Sequence, residues 1–320
     1  MGKLAKVLEY TYAGDNERKE ILNQSNFPKD IKQLLLSEEG TGSDNLLNIE
    51  LENALHVGAE KRSVIRKLIP TIDVNEYRAV VPSMISPSGC VDKVSEGAAF
   101  PTMKATFASG TVEINKYATS IPITHELIED GQWDIIEILV QRAGALLENT
   151  LNKVGMTQLL DGHHATKPAD IDPAESHITT YDIALAREYL KKLYWGNSRM
   201  SFIGYPTAIR YLLSKSSVSG STELGITPNT GDDICGVEVY ELMTPLEVGA
   251  TSYWDATDSA NHYYGMVIDS DNYAVIGMRQ DIKIESNIKD PAFDLTKLVA
   301  SMRFGVKVIN SQAAVRILSK

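Results

Sequence analysis

Several short stretches carry side chains whose types and spacing could do chemistry. His125-Glu126-Leu127-Ile128-Glu129 opens like the zinc-protease motif HExxH, in which two histidines one helical turn apart hold the metal and the glutamate activates water. Glu129 stands where the second histidine belongs, so the stretch reads as the solvated start of a helix. His163 and His164 adjoin, but no Cys or carboxylate stands at ligand spacing within a regular element, and the pair reads as solvated. Asp269-Ser270-Asp271-Asn272 opens like a calcium loop, yet Ala274 takes the place of the turn glycine and Gln280 that of the bidentate glutamate. A hairpin turn between two strands explains it more simply. Cys90 has no histidine near it in sequence, and a nucleophilic thiol needs an electropositive setting. No GxGxxG, P-loop or GxSxG pattern occurs. The sequence therefore predicts no catalytic, cofactor-binding or metal-binding residue, and a building block in place of an enzyme.

Composition narrows the classes further. The chain has 320 residues, formal net charge −11, 43% hydrophobic and 23% charged residues. That is an ordinary globular composition, long enough for about two domains at roughly 150 residues each and for a core without staples. Cys90 and Cys235 form no CxxC and no disulfide framework, which points to a reducing compartment. Glu9 interrupts the N-terminus before a signal-peptide core can form, Lys6 spoils a myristoylation motif after Gly2, and no run approaches about 20 apolar residues. An acidic chain without a basic block is a poor grip on phosphates. Enclosing nucleic acid without adhering to it stays open.

The elements that would position such residues are legible in outline. Residues 1–48 read as an arm, with the Gly- and Ser-containing run Glu39 to Asp44 as a flexible stretch. A helix is predicted from Ile49 through Leu68, stopped by Pro70. Tyr77 to Ala118 reads as a long β-hairpin with an irregular tip, since turn-rich Ser86-Pro87-Ser88-Gly89, Gly97 to Pro101 and Ser109-Gly110 precede Val112 and Ile114, which alternate with Glu113 and Asn115. Such a ribbon is marginal alone in water, so it should rest on the rest of the chain or on a neighbouring subunit. From an Asp130 cap, Trp133, Ile136, Val140, Ala143, Leu147 and Leu151 recur on one face to about Leu160, where Asp161-Gly162 stops the helix. Thr179 and Asp182 form a capping pair for the next helix. Met200 to Ile203 reads as a buried strand, Pro206 as the start of a short helix, and Ser214 to Asp233 as a surface loop. Short strands follow at 237–242, 263–268, 273–276, 282–285 and 313–318, with a run from Leu295 through Val308.

The order of these pieces resembles the major capsid protein of tailed double-stranded DNA viruses, the Hong Kong 97 type shell fold, from about Ile49 to Lys320. Four signatures carry the resemblance. They are Glu96-Gly97-Ala98-Ala99-Phe100-Pro101 ahead of the strand leading into Thr124 to Asp130; the helix stop Leu159-Leu160-Asp161-Gly162; Ser201-Phe202-Ile203-Gly204-Tyr205-Pro206; and Ala300-Ser301-Met302-Arg303-Phe304-Gly305-Val306-Lys307-Val308 followed by Ala313.

The resemblance implies an α+β subunit with an N-terminal arm (1–48), a peripheral domain (49–78, 119–178 with the spine helix, and 285–320), an extended loop (79–118) and an axial domain (179–284). It implies self-assembly into pentamers and hexamers of an icosahedral shell around double-stranded DNA, bound without sequence specificity and without a membrane. In that family the extended loop lies across a neighbouring subunit, and axial loops, here 214–233, meet at capsomer centres. Glu96, Phe100, Lys104 and Arg303 are candidate subunit contacts. Lys93, Lys104 and Asn310 are the candidates for a Lys–Asn cross-link, which most relatives lack. A separate scaffolding protein, a portal and a decoration protein are the implied partners, and the virion capsid, after the host cytoplasm, is the implied location. An encapsulin-type nanocompartment shell is the alternative within the fold; a soluble hydrolase and an adhesion module are the alternatives outside it.

Overall fold

A computed structural model describes residues 42–88, 104–124, 133–162, 170–173, 177–193, 199–214, 228, 232–242, 262–290 and 295–319. The chain divides into two compact units, Met1–Ser63 with Asn115–Leu151 and Gln280–Phe304, and Val64–Ile114 with Asn152–Arg279 and Gly305–Lys320.

The first unit packs two helices and three strands. Helix α1 spans Gly42–Glu60. Helix α3 spans Trp133–Asp161, roughly 43 Å at about 1.5 Å per residue, and continues from the first unit into the second. A methyl group at Gly144 would overlap the Leu55 carbonyl, and one at Gly58 the Gln141 carbonyl. The two helices therefore cross antiparallel, backbone against backbone, at the two residues that carry no Cβ. Leu51 and Leu55 of α1 and Ile136, Val140, Leu147 and Leu151 of α3 are buried. Strand β10 (Leu295–Val308) pairs antiparallel with β4 (Asn115–Thr124), from Leu295 opposite Thr124 to Phe304 opposite Asn115. Within this unit β10 lies between β4 and the second half of β9 (Ala274–Asp290). Tyr117 stacks on buried Phe304 with ring centres 4.6 Å apart.

The second unit holds a five-stranded sheet in the order β11 (Ala314–Ser319), β8 (His262–Asp269), β5 (Met200–Gly204), β7 (Val237–Glu241), β6 (Asp233–Ile234). All five residues of β5 are buried. Helix α4 (Thr180–Leu193) packs on β8 and β11, and α5 (Pro206–Ser214) on β5 and β8. Ile178, Ile183, Leu190, Phe202, Val239 and Val267 belong to the core between them. The predicted capping pair is present: the Thr179 N–H and hydroxyl both donate to Asp182 Oδ2, at 2.8 and 2.7 Å. Strand β1 (Thr71–Asp73) runs parallel to β9, Thr71 opposite Ile276. Strands β2 (Arg78–Ser88) and β3 (Lys104–Glu113) form a separate two-stranded antiparallel sheet, the predicted hairpin as far as Glu113, whereas Asn115 to Ala118 belong to β4 in the four-stranded sheet.

Four further readings of the sequence are corrected. Helix α1 begins at Gly42, so part of the expected flexible stretch is helical. It does not run through to Pro70 either: the chain turns at Lys61-Arg62 and restarts as α2 (Ile65–Leu68), whose first N–H is taken by the Asn152 side chain at 3.1 Å. A tertiary partner 87 residues away supplies that start, and no local pattern encodes it. The strands expected at 273–276 and 282–285 are one strand, β9, because Gly277 serves a close approach and not a turn. Asp269 to Tyr273 links β8 to β9 in a different sheet, so it is not a hairpin turn. The Asp269 carboxylate closes it, accepting from the Asp271 N–H at 3.2 Å and the Asn272 amide at 2.9 Å. Among the described residues no cluster of three or more His, Cys, Asp or Glu side chains could hold a metal ion.

Candidate functional site

For a chain read as a building block, the site is the element that leaves the core and whatever holds its base. The β2–β3 hairpin leaves the second unit from a small apolar patch in which Val74, Val112, Ile114 and Val275 are buried, with Ile72, Ala79, Val81 and Ile309 against them. The strand period of two explains the seating. Ala79 and Val81 face the patch, while Arg78 and Val80 face out. Val80 is 68% exposed and Tyr77, just before the strand, 56% exposed. Arg78 pairs with Glu113 at 3.0 Å, directly across the register, but both side chains are largely exposed and the pair contributes little.

The end of α3 is tied down by groups that repay its unpaired carbonyls. The Tyr273 hydroxyl donates to the Leu159 carbonyl. Burial pushes the Tyr273 phenol well above its ordinary value, so it stays a donor. The Arg316 guanidinium grips Asp170 with two parallel bonds of 2.9 and 2.7 Å, reaches the Leu160 carbonyl at 3.4 Å and lies 4.9 Å from the Tyr263 ring centre. Burial works against that charge, but the hydrogen bond and charge of Asp170 outweigh it and raise the Arg316 pKa. A cation at a helix C-terminus also suits the helix dipole. Arg199 does the same for α2, donating to the Lys67 and Leu68 carbonyls at 2.8 and 3.1 Å, with Glu238 3.6 Å from it. Tyr240 donates to Glu238 at 3.0 Å, and burial followed by that bond raises its pKa.

The residues singled out from sequence fare unevenly. Lys93, Glu96 and Phe100 lie outside the described residues, as do Cys90, the stretch His125 to Asp130, His163-His164 and most of the loop 214–233. Lys104 opens β3 opposite Ser88. Arg303 is half-buried in β10, opposite Lys116. Asn310 sits in the turn between β10 and β11, where its side-chain oxygen accepts the Gln312 N–H at 3.1 Å. Cys235 is exposed in the tight β6–β7 turn, at φ 55° before Gly236 at φ 76°. Arg316, Asp170, Tyr273 and Arg199 were not singled out. Arg316 carried a signal, as a lone charge inside the apolar run Ala313 to Leu318.

A family model of phage capsid proteins matches residues 108–317. The chain belongs to the phage capsid protein family. No curated protein sequence matches it, yet solved structures do. A solved structure from Mycobacterium phage Adephagia covers 98% of its own chain and 92% of this one, with TM-score 0.58 and 15% identity. A virus-like particle from Pyrococcus furiosus covers 84% and 97%, with TM-score 0.57 and 13% identity. The capsid of a native GTA particle covers 82% and 90%, with TM-score 0.55 and 12% identity. At such identities the likeness establishes the fold, and that fold is the α+β Hong Kong 97 type expected from the sequence. This phage capsid protein is thus a structural protein of the virion shell, as the resemblance implied.

Proposed function

We propose that the protein assembles into pentamers and hexamers that close an icosahedral shell around a double-stranded DNA genome, without enzymatic activity of its own. The observation that carries this is the β2–β3 hairpin. Among the described residues its two strands pair only with each other and show apolar side chains outward at the base, in a chain of a capsid family. A two-stranded ribbon of this kind gains its stability from a further surface, and in a shell that surface is a second copy. The formal charge of −11 supports a wall that encloses DNA without trapping its phosphates. A scaffolding protein, a portal and a decoration protein are the partners this role calls for, with assembly in the host cytoplasm. The likeness to the Pyrococcus furiosus particle supports a second reading, the shell of a cellular nanocompartment.

Particles from the native source, treated with nuclease and then opened, separate the two. Protected double-stranded DNA of genome length is expected; particles filled with protein and free of DNA would overturn the viral reading. Denaturing gels of the same particles test the Lys–Asn cross-link. Asn310 already spends its side-chain oxygen on a turn, and monomer bands alone are expected.

A further inference from the structure

Where β3 seats on its own unit, two strands lie bare. Glycine inside a strand weakens it and marks a close approach, and here two such residues face one side chain. Val112, only 1% exposed, presents Cγ1 at 3.0 Å from where a Gly277 methyl would stand and at 3.1 Å from where a Gly305 methyl would stand. Ile114 Cδ1 at 3.1 Å and Val74 Cγ2 at 3.4 Å close the Gly277 side. A methyl at Gly305 would also overlap the Glu113 carbonyl oxygen, so the β10 backbone lies directly on the last residue of β3. Beyond this socket the hairpin pairs, among the described residues, only with itself, from Val81 opposite Gly110 to Ser88 opposite Lys104.

We infer that the Gly277–Gly305 socket, by seating Val112, is the positioning device that sets the direction in which the hairpin leaves the subunit, and so whether it reaches a second copy in register. Leverage makes the base decisive. Val81 to Ser88 spans roughly 23 Å at about 3.3 Å per residue, so a base rotation of about 10° displaces Ser88 by roughly 4 Å, beyond any hydrogen bond's tolerance. The two glycines differ in kind. At Gly277 the obstruction is side-chain methyl, which a smaller residue 112 relieves; at Gly305 it is backbone, which nothing at position 112 relieves. The inference rests on the shell reading above.

The test uses the full-length chain as Gly305→Ala, Gly277→Ala, Val112→Ala and the Gly277→Ala/Val112→Ala pair, with exposed Thr111→Ala as control. Thermal melting and amide exchange of the β2–β3 base are measured on unassembled subunits, and shell yield and diameter by sedimentation and electron microscopy. Gly305→Ala is expected to melt cooperatively, to lose protection at the hairpin base, and to lower shell yield at least tenfold or change shell diameter. Gly277→Ala is expected to do the same more mildly, with Val112→Ala restoring yield in the pair. A folded Gly305→Ala with wild-type exchange, yield and diameter overturns the inference. If Gly305→Ala does not fold, Gly277→Ala decides: a folded variant that assembles like wild type, or a pair no better than Gly277→Ala, overturns it equally. If the wild-type chain itself forms no shells under any condition, the shell reading fails; the exchange data then still judge the socket, because wild-type protection in the Gly305→Ala base would refute it.

Discussion

The five-stranded sheet and the β2–β3 hairpin belong to the same unit and satisfy their side chains in opposite ways. Strand β5 has a β partner on each side, helix α5 packed on it and no exposed residue, and its Phe202 ring fills the space that Gly204 and Gly265 leave open. Among the described residues the hairpin has one partner strand per strand, a small apolar patch under its base, and Val80 and Tyr77 exposed. The first region completes its own burial. The second leaves apolar surface open among the described residues, which is what the proposed shell subunit needs if folding is to precede assembly.

Substitutions ranked by their cost to the isolated subunit break or sharpen that contrast. Phe202→Ala empties the middle of the self-contained region and is expected to cost about 3–5 kcal/mol in denaturant unfolding. Arg316→Met removes two charge-assisted bonds to Asp170 and a contact with the end of α3, for a loss of about 2 kcal/mol by the same measurement. Tyr273→Phe gives up one buried hydrogen bond, about 1 kcal/mol near neutral pH. That difference carries a pH signature. The folded phenol titrates above its ordinary 10.0, so its stabilisation is complete below pH 10.0 and fades as pH rises above that value, where the unfolded chain sheds the proton first. The gap between wild type and Tyr273→Phe should therefore narrow above pH 10.0 in paired melts; a constant gap would contradict the assignment. Val80→Ser, at the other extreme, is expected to change subunit stability by less than about 0.5 kcal/mol yet to lower shell yield. Equal losses of both would erase the distinction between the two regions.

Local pattern makes much of this legible in the sequence. The spine-like helix showed a repeating apolar face from Trp133 to Leu151 and a glycine stop, and the Thr179–Asp182 pair read as a cap because capping is decided within one turn. The hairpin showed alternation and turn residues. What failed to show was set by distant partners. Residues 61–64 interrupt a helical pattern because Asn152 starts the next helix, and β9 reads as two strands because the neighbours that make use of Gly277, Val112 and Ile114, are remote in sequence. The clamp of Arg316, Asp170 and Tyr273 on α3 spans residues 159 to 316, so only the lone charge in an apolar strand hinted at it.

The most direct test of the central claim is sedimentation of the purified wild-type chain across concentration and salt, with negative-stain electron microscopy of the heaviest fraction. Closed shells, or discrete rings of five and six subunits, are the expected result. Compact monomers or dimers throughout, including after addition of a cognate scaffolding protein, would contradict it.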